Sequence, residues 1–439
     1  MAIPEARRKV DRFLARNGML PRALSVRRCV GAYIREMQRG LSGAASSLAM
    51  IPTWIETGQD VPSGRSVIAL DAGGTNLRVA VVRFEPGGAP SIEHLARHPM
   101  PGVGEEIAGE EFFRQMARAV APVAALADRI GFCFSYPAEM QPDKDGRLIR
   151  LTKEIKARGV EGQLIGRNLA MALSALGSPA PAKVILLNDT VAALLAGRNS
   201  APGRRFDGFI GFVCGTGMNA AYEESNAEIR KLRAVDPTGS QVINVEAGSF
   251  GGGPTGTLDR AFNAATADPG KARYEKMVSG LYLGGLCLLA AKQAAREGCL
   301  SSEAGRELDR LETLSTKDVN EFLLSPDSGA HPLGKAARRF SALDAQVLHL
   351  LLDSLVERAA MLAAITLCAV LLKSGRGRDP RYPVMITADG TTFWQLRAFR
   401  TRVESHMRAF LAGDRERAWE ISGVDDAPLL GAGIAALTN

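Results

Sequence analysis

The chain has 439 residues, 46% apolar and 23% charged, with a mean hydropathy of −0.01. That is ordinary globular composition, with length enough for two domains. The formal charge of +7 is concentrated. Ten basic side chains (Arg7, Arg8, Lys9, Arg12, Arg16, Arg22, Arg27, Arg28, Arg35, Arg39) face only Glu5, Asp11 and Glu36 within the first forty residues, an excess of +7 that leaves the rest neutral. Binding to nucleic acid through counterion release needs many clustered cations, so no nucleic-acid partner is expected. Six cysteines lie at least twelve positions apart. This excludes a Cys-x-x-Cys zinc or redox pair and predicts reduced thiols in a cytoplasmic protein. The longest apolar run, Ala359 to Leu372, has fourteen residues. A membrane span needs roughly 20, so a buried helix is predicted and no transmembrane segment. The charged N-terminus lacks the apolar core of a secretory signal.

Residues 5 to 50 have helical spacing, with Val10, Phe13 and Leu14 on one face and arginines between. After a Pro- and Gly-containing break, Val67 to Leu70 reads as a buried strand, and Leu77 to Phe84 as its return. Residues 110 to 129 look helical, Ile130 to Phe134 extended, Gly162 to Leu176 helical and Lys183 to Leu187 extended. Such alternation predicts an α/β sheet covered by helices. The pattern then restarts with Phe209 to Cys214, a Gly-Thr-Gly turn, and Asn219 to Glu223. Thr75 and Thr216, 141 residues apart, occupy like places in the two hairpins, which suggests an internal repeat with one α/β unit per lobe. The C-terminal half reads as helical to Arg376, followed by a strand at Val384 to Thr387 and a small-residue helix opened by Gly431 to Gly433.

Three turns carry candidate chemistry. Asp71-Ala72-Gly73-Gly74-Thr75-Asn76 joins two strands, where glycines let the backbone aim N–H groups at an anion. Thr75 adds a hydroxyl and Arg78 a permanent cation. A plain hairpin turn is the alternative. Gly215-Thr216-Gly217 repeats the arrangement, and two such turns could clasp one polyphosphate from opposite sides. Asn188-Asp189-Thr190 follows a strand and precedes a helix, at the sheet edge where α/β folds place ligands. Asp189 or Thr190 there could be a helix N-cap, or Asp189 a carboxylate that takes a proton from a hydroxyl during phosphoryl transfer.

Together these residues resemble the single-unit hexokinases of the actin-like ATPase (ribonuclease H-like) superfamily. Met50 to Ile55, Leu70 to Val79, Gly131 to Pro137, Leu151-Thr152-Lys153, Leu187 to Thr190, Gly215 to Tyr222, Asn244 to Gly248, Tyr274 to Gly284, Arg358 to Ala364 and Asp389 to Thr391 match in order. The resemblance implies two actin-like α/β lobes with a central cleft. Residues 65–189, completed by 426–439, would form the small lobe. Residues 190–425 would form the large lobe, with 1–64 supplying helices to it.

The resemblance also implies ATP-dependent phosphorylation of the 6-hydroxyl of a hexose, glucose foremost, with Mg²⁺. Asp189 corresponds to the catalytic base, and Lys153 lies near the reacting oxygen. Ser135, Thr152, Lys153, Asn188, Asn219, Glu246 and Glu275 match sugar-binding positions. Ser135 could instead be a turn residue, Glu246 a loop carboxylate, and Glu275 a solvated charge beside Lys276. Gly73, Gly74, Thr75, Asn76, Arg78, Gly215, Thr216 and Gly217 correspond to the phosphate segments. Asp389, Gly390 and Thr391 match the adenosine segment, and Gly431 the final connecting helix. Asp71 and Asp189 would stand near the Mg²⁺ through water. The chain departs from the family at Leu151 and Ala247, where Trp is usual, at Gly285, and at Phe393-Trp394. A non-catalytic sugar sensor and a kinase with a different phosphoryl donor are the rival readings. The assembly is expected to be a monomer or homodimer. The basic N-terminal helix is either scaffold with solvated arginines or a dock for an acidic surface.

Overall fold

Six consecutive residues, Val67 to Ala72, are buried within the strand Arg65–Gly73, so this strand needs cover on both faces and neighbours on both edges. A computed structural model, which describes residues 2–86, 89–151, 155–201 and 203–439, supplies both. In the sheet order Lys183–Leu187, Arg129–Phe134, Arg65–Gly73, Asn76–Phe84, Ser91–Pro99, the first two pairings are parallel and the last two antiparallel.

A second sheet runs Trp419–Ser422, Val384–Asp389, Gly208–Cys214, Met218–Ser225, Ser240–Asn244 and ends on the short strand Ile51–Pro52. Its first two pairings are again parallel and the rest antiparallel. Counted from the first strand of each hairpin, both sheets share the order 3-2-1-4-5. The suggested internal repeat is therefore present as topology.

Each sheet has its own core. Gly109–Val120 and Ile165–Ala175 pack on the first sheet through Phe112, Met116, Leu169 and Leu173. The second sheet lies against the 33-residue helix Ala342–Ser374. That helix is capped by the Ser341 side chain at its start and by left-handed Gly375 at its end, a pairing of polar N-cap with C-terminal Gly that stops it cleanly. It is long and apolar enough to cross a membrane, but its most apolar stretch is 89% buried. The predicted buried helix over Ala359 to Leu372 is thus its second half. The N-terminal helices Ala2–Arg16 and Val26–Ser42 join the same core through Ala6, Val10, Phe13, Leu14, Tyr33 and Met37. Arg7, Arg8, Arg12 and Arg16 face outward. The apolar face of the first helix is consequently occupied, as a scaffold helix requires.

Two short helices join the sheets. Asp189–Arg198 leaves the first sheet, and Ala427–Thr438 returns to it. They cross at backbone contact. A Cβ on Gly431 would overlap the carbonyl of Ala192, one on Gly131 the carbonyl of Ala432, and one on Gly211 the carbonyl of Thr190. Gly431 to Gly433 therefore lie inside the returning helix and do not open it. The chain end is fastened to the first sheet, with Lys183 Nζ donating to the Asn439 carbonyl at 2.7 Å and Arg129 to that of Ala436 at 2.8 Å.

This packing yields a stability prediction. Gly131→Ala forces a methyl into a backbone carbonyl, and overpacking of this kind costs about 1–3 kcal/mol. Gly58→Ala, where a Cβ meets nothing within 4 Å, is expected to change stability by less than about 0.5 kcal/mol. Urea unfolding of both variants checks the contrast, and equal midpoints would contradict the backbone contact between the returning helix and the strand Arg129–Phe134.

Candidate active site

The strands of both sheets that run in a common sense end at one place. Arg65–Gly73 leads into Asp71–Asn76, Arg129–Phe134 into Ser135, and Lys183–Leu187 into Asn188-Asp189. In the second sheet Gly208–Cys214 leads into Gly215–Gly217, Ser240–Asn244 into Glu246, and Val384–Asp389 into Gly390. Ligands in α/β folds sit beyond such carboxyl ends because the loops there are free to vary while the strands stay fixed.

In the first turn Gly74 is left-handed at φ +78°, and its carbonyl accepts from Tyr136 Oη at 2.6 Å. Gly73, Thr75 and Asn76 stay exposed. Asp71 Oδ2 accepts from Arg78 Nε at 2.9 Å, and the same guanidinium donates to Asp426 at 2.6 Å. Arg78 is therefore not a cation standing free at the turn. It ties the first sheet to the residue preceding the returning helix. Burial raises the Asp71 carboxyl above its ordinary range, Arg78 opposes this, and the charge of Asp389 adds to it. The last effect shows that the first sheet's turn and the second sheet's Asp389 lie within electrostatic reach.

Opposite it, Gly215 N–H donates to the Gly217 carbonyl at 2.9 Å, while the Gly215 carbonyl accepts from Gly280 N–H at 2.7 Å and Thr392 Oγ1 at 3.0 Å. Thr216 is left exposed at the tip. Gly390, at φ +109°, lies so near Cys214 that a Cβ would come within 2.5 Å of its backbone. The Gly-Thr-Gly turn and the Asp389–Thr391 turn are therefore one surface. Asp389 accepts from Gly390 N–H at 2.7 Å, and Thr391 is exposed. Gly431, expected among the nucleotide-binding residues, is buried against Ala192 at the helix crossing, away from these turns.

Between the turns lies a ring of amides and carboxylates. Asn219 Nδ2 donates to Asn244 Oδ1 at 2.8 Å and to Glu246 Oε1 at 3.5 Å, and Asn244 Nδ2 donates to the same Glu246 oxygen at 2.8 Å. Glu246 has φ +59°, a left-handed conformation costly for a side chain of this kind and often retained at functional sites. Glu275 Oε2 accepts from Met218 N–H at 2.9 Å and is wedged between Gly217 and Gly248, where added methyl groups would press on it. It belongs to a short 3-10 turn, Glu275–Met277, rather than the expected helix. It is not a solvated partner of Lys276, whose buried ammonium binds Asn263, Thr266 and Asp268.

Asp189 opens the linking helix, but the cap is Asn188, whose Oδ1 accepts from Thr190 N–H at 2.9 Å and also from the Thr190 hydroxyl. Asp189 Oδ1 takes the same amide at 2.8 Å. Burial pushes the Cys133 thiol up, and the charges of Asp71 and Asp189 push it further, so both carboxylates flank one buried strand end. Burial likewise raises Glu275, partly offset by Met218 N–H, with Glu246 and Asp189 adding to the rise. Ser135, half-buried and two residues beyond Cys133, lies near Asp71 and Gly73. Thr152 and Lys153 lie outside the described residues. Among these residues, sequence reasoning missed the structural parts of Asn244, Thr190 and Asp426. Asn244 stood in a matched segment, and its spacing of two from Glu246 was the available signal.

Two family models described as hexokinase match residues 17–199 and 209–438. Rice hexokinase-1 (Oryza sativa subsp. japonica) is 30% identical over 93% of this chain and 86% of its own length. Mouse hexokinase-3 (Mus musculus) is 30% identical over 83% of this chain, which spans 40% of that longer protein. Among solved structures, a hexokinase from Schistosoma mansoni complexed with glucose superimposes with a TM-score of 0.79 at 25% identity, covering 98% of this chain and 99% of that one.

The buried carboxylates give a signed pH dependence. Burial raises Glu246, with Asn244, Asn219 and Arg150 opposing. A carboxyl raised in the folded state holds its proton more tightly there than in the unfolded chain. Its contribution to folding therefore worsens as pH climbs through the raised value. Glu246→Gln, which keeps an acceptor without the charge, is expected to stabilise the ligand-free protein at pH 7. The gain should shrink toward pH 5 and be measurable as urea midpoints at each pH. A gain independent of pH would contradict the assignment.

Proposed function

This chain belongs to the hexokinase family of enzymes, and from that membership we propose that it transfers the terminal phosphoryl group of ATP to the 6-hydroxyl of a hexose, with glucose preferred. The observation that carries the reading is a hydrogen-bonded ring of amides and carboxylates, within electrostatic reach of Asp189, set between glycine turns at the strand ends of both sheets. A hexose presents several hydroxyls, each needing a donor or acceptor, and a polar ring rejects analogues that leave its groups unpaired. Asn219, Glu246 and Glu275 offer that ring, with Asn188, Ser135, Thr152 and Lys153 completing it in this reading.

Asp189 takes the proton of the 6-hydroxyl as the oxygen attacks, and Lys153 steadies the charge on that oxygen. The backbone N–H groups at Gly73 to Asn76 and at Gly215 to Gly217, with the Thr75 and Thr216 hydroxyls, cradle the phosphates. The Asp389–Thr391 surface seats the adenosine. Among the described residues no three His, Cys, Asp or Glu side chains are grouped to hold a metal by themselves. This suits Mg²⁺, which usually keeps its waters and binds through one or two carboxylates plus substrate phosphates. Asp71 and Asp189 would hold it through water, and it would supply positive charge to offset that of the transferring phosphoryl group. Movement of one sheet toward the other about the helix crossing excludes water, the competing nucleophile. Ala247, where the resemblance leads to the expectation of Trp, is fully buried, so the packing behind Glu246 does without an indole.

Asp189→Ala is expected to lower kcat by about 10²–10⁴ with a smaller change in KM for glucose, since base catalysis acts in the transition state. Glu246→Ala and Glu275→Ala are expected chiefly to raise that KM. Steady-state assays of ADP release across glucose, mannose and fructose check these effects. Near-normal kcat in Asp189→Ala, or unchanged KM in both glutamate variants, would overturn the reading.

A further inference from the structure

The linking helix that begins at Asp189 ends at Arg198, about 14 Å away at 1.5 Å per residue. Around that far end, where the strands Gly208–Cys214 and Val384–Asp389 begin, is a pocket of about 510 Å³. Four arginines, Arg198, Arg204, Arg205 and Arg378, line it against two aspartates, Asp207 and Asp379. The excess is larger than this count suggests, because both aspartates are already held by arginines outside the lining. Asp207 accepts from Gly377 N–H at 2.6 Å and pairs with Arg376 at 3.6 Å. Asp379 is held by Arg381 through contacts as short as 2.6 Å. Arg204 is engaged as well, by two hydrogen bonds to Glu420 of 2.8 and 2.7 Å and by stacking over Phe206.

Arg198, Arg205 and Arg378 have neither an ion pair nor a side-chain hydrogen bond among the described residues. Arg417, within electrostatic reach of Arg378, has a buried Nε without a hydrogen-bond partner among them. Like charges gathered on one concave surface repel in the empty state, and an anion brought between them relieves that repulsion. Guanidinium groups match phosphate oxygens in paired hydrogen bonds. Each such pairing uses two phosphate oxygens, so the three arginines without a partner among the described residues fit a pair of linked phosphates better than a single one.

We propose that this pocket is a second anion site, remote from the cleft, that binds a small molecule carrying a diphosphate group. The source is either inorganic or nucleotide diphosphate. Phe206, Phe209 and half-exposed Tyr382 in the wall offer apolar contact to a base. The pocket also adjoins the last residue of the helix whose first residue is Asp189, so its occupant bears on an element shared with the cleft.

The experiment is calorimetric titration of the full chain with pyrophosphate and with ADP, in the presence of excess glucose and a non-hydrolysable ATP analogue to fill the cleft. Pyrophosphate is expected to bind at one site per chain. Arg198→Ala/Arg205→Ala/Arg378→Ala is expected to weaken that binding at least about tenfold, with kcat and hexose KM unchanged. Arg12→Ala/Arg27→Ala/Arg35→Ala removes equal charge from exposed positions on the N-terminal helices and is expected to leave the binding unchanged. Equal affinity for both probes assigns recognition to the diphosphate, and tighter ADP binding brings in the aromatic wall. If the triple pocket variant does not fold, Arg378→Glu alone is expected to weaken binding. No pyrophosphate binding to the unsubstituted protein, or equal loss in the pocket and control variants, would overturn the site. Both results are independent of whether the cleft phosphorylates hexose.

Discussion

Two helices meet here with their backbones in contact, and the cleft depends on that meeting. Asp189–Arg198 and Ala427–Thr438 connect the sheets, no side chain fits between Gly431 and Ala192 where they cross, and none fits between Ala432 and Gly131 of the first sheet beneath. The approach brings the carboxyl ends of both sheets to one place. Dispersion and apolar burial then hold it, because Val67, Ala69, Val191, Leu195, Leu429 and Ile434 form a separate core between the sheets. Such a core can roll without unpacking the two larger ones, which is what a cleft that closes requires.

The constraint has an electrostatic consequence. At the strand ends Asp71 comes within the influence of Asp389, and Glu275 within that of Glu246 and Asp189. In a ligand-free protein that arrangement is unfavourable, since burial and mutual repulsion both act against the charged forms. The protein holds it through fixed partners, with Arg78 bridging Asp71 and Asp426 and two asparagines sharing Glu246. The strained backbone at Glu246 belongs to the same balance. Under the proposed function, a hexose whose hydroxyls donate to such carboxylates would relieve it, and part of the binding free energy would then come from the unfavourable empty site.

Much of the fold was legible because its central strands are short, apolar and bounded by glycine turns. Lys183–Leu187 came out with the structure's own limits. The paired Gly-Thr turns disclosed a repeat that the two sheet orders reproduce. Ser91–Pro99 and Trp419–Ser422 were illegible for a physical reason. They are edge strands with no fully buried residue, so the alternation that marks a strand is absent. The candidate site was legible as residue types in turns. Its internal bonding was not, since it depends on partners distant in sequence. Lys276 reads as a surface charge beside Glu275, yet it is buried with Asn263, Thr266 and Asp268 around it. Gly431 reads as the opening of a helix, yet it lies inside one, where the crossing needs it.

Product analysis tests the central claim most directly: that the crossing assembles one cleft for phosphoryl transfer to a hexose. With ATP, Mg²⁺ and isotopically labelled glucose, phosphorus and carbon NMR should show the ester at the 6-position forming in step with ADP. Release of ADP without a sugar phosphate, or an ester at another hydroxyl, would contradict it.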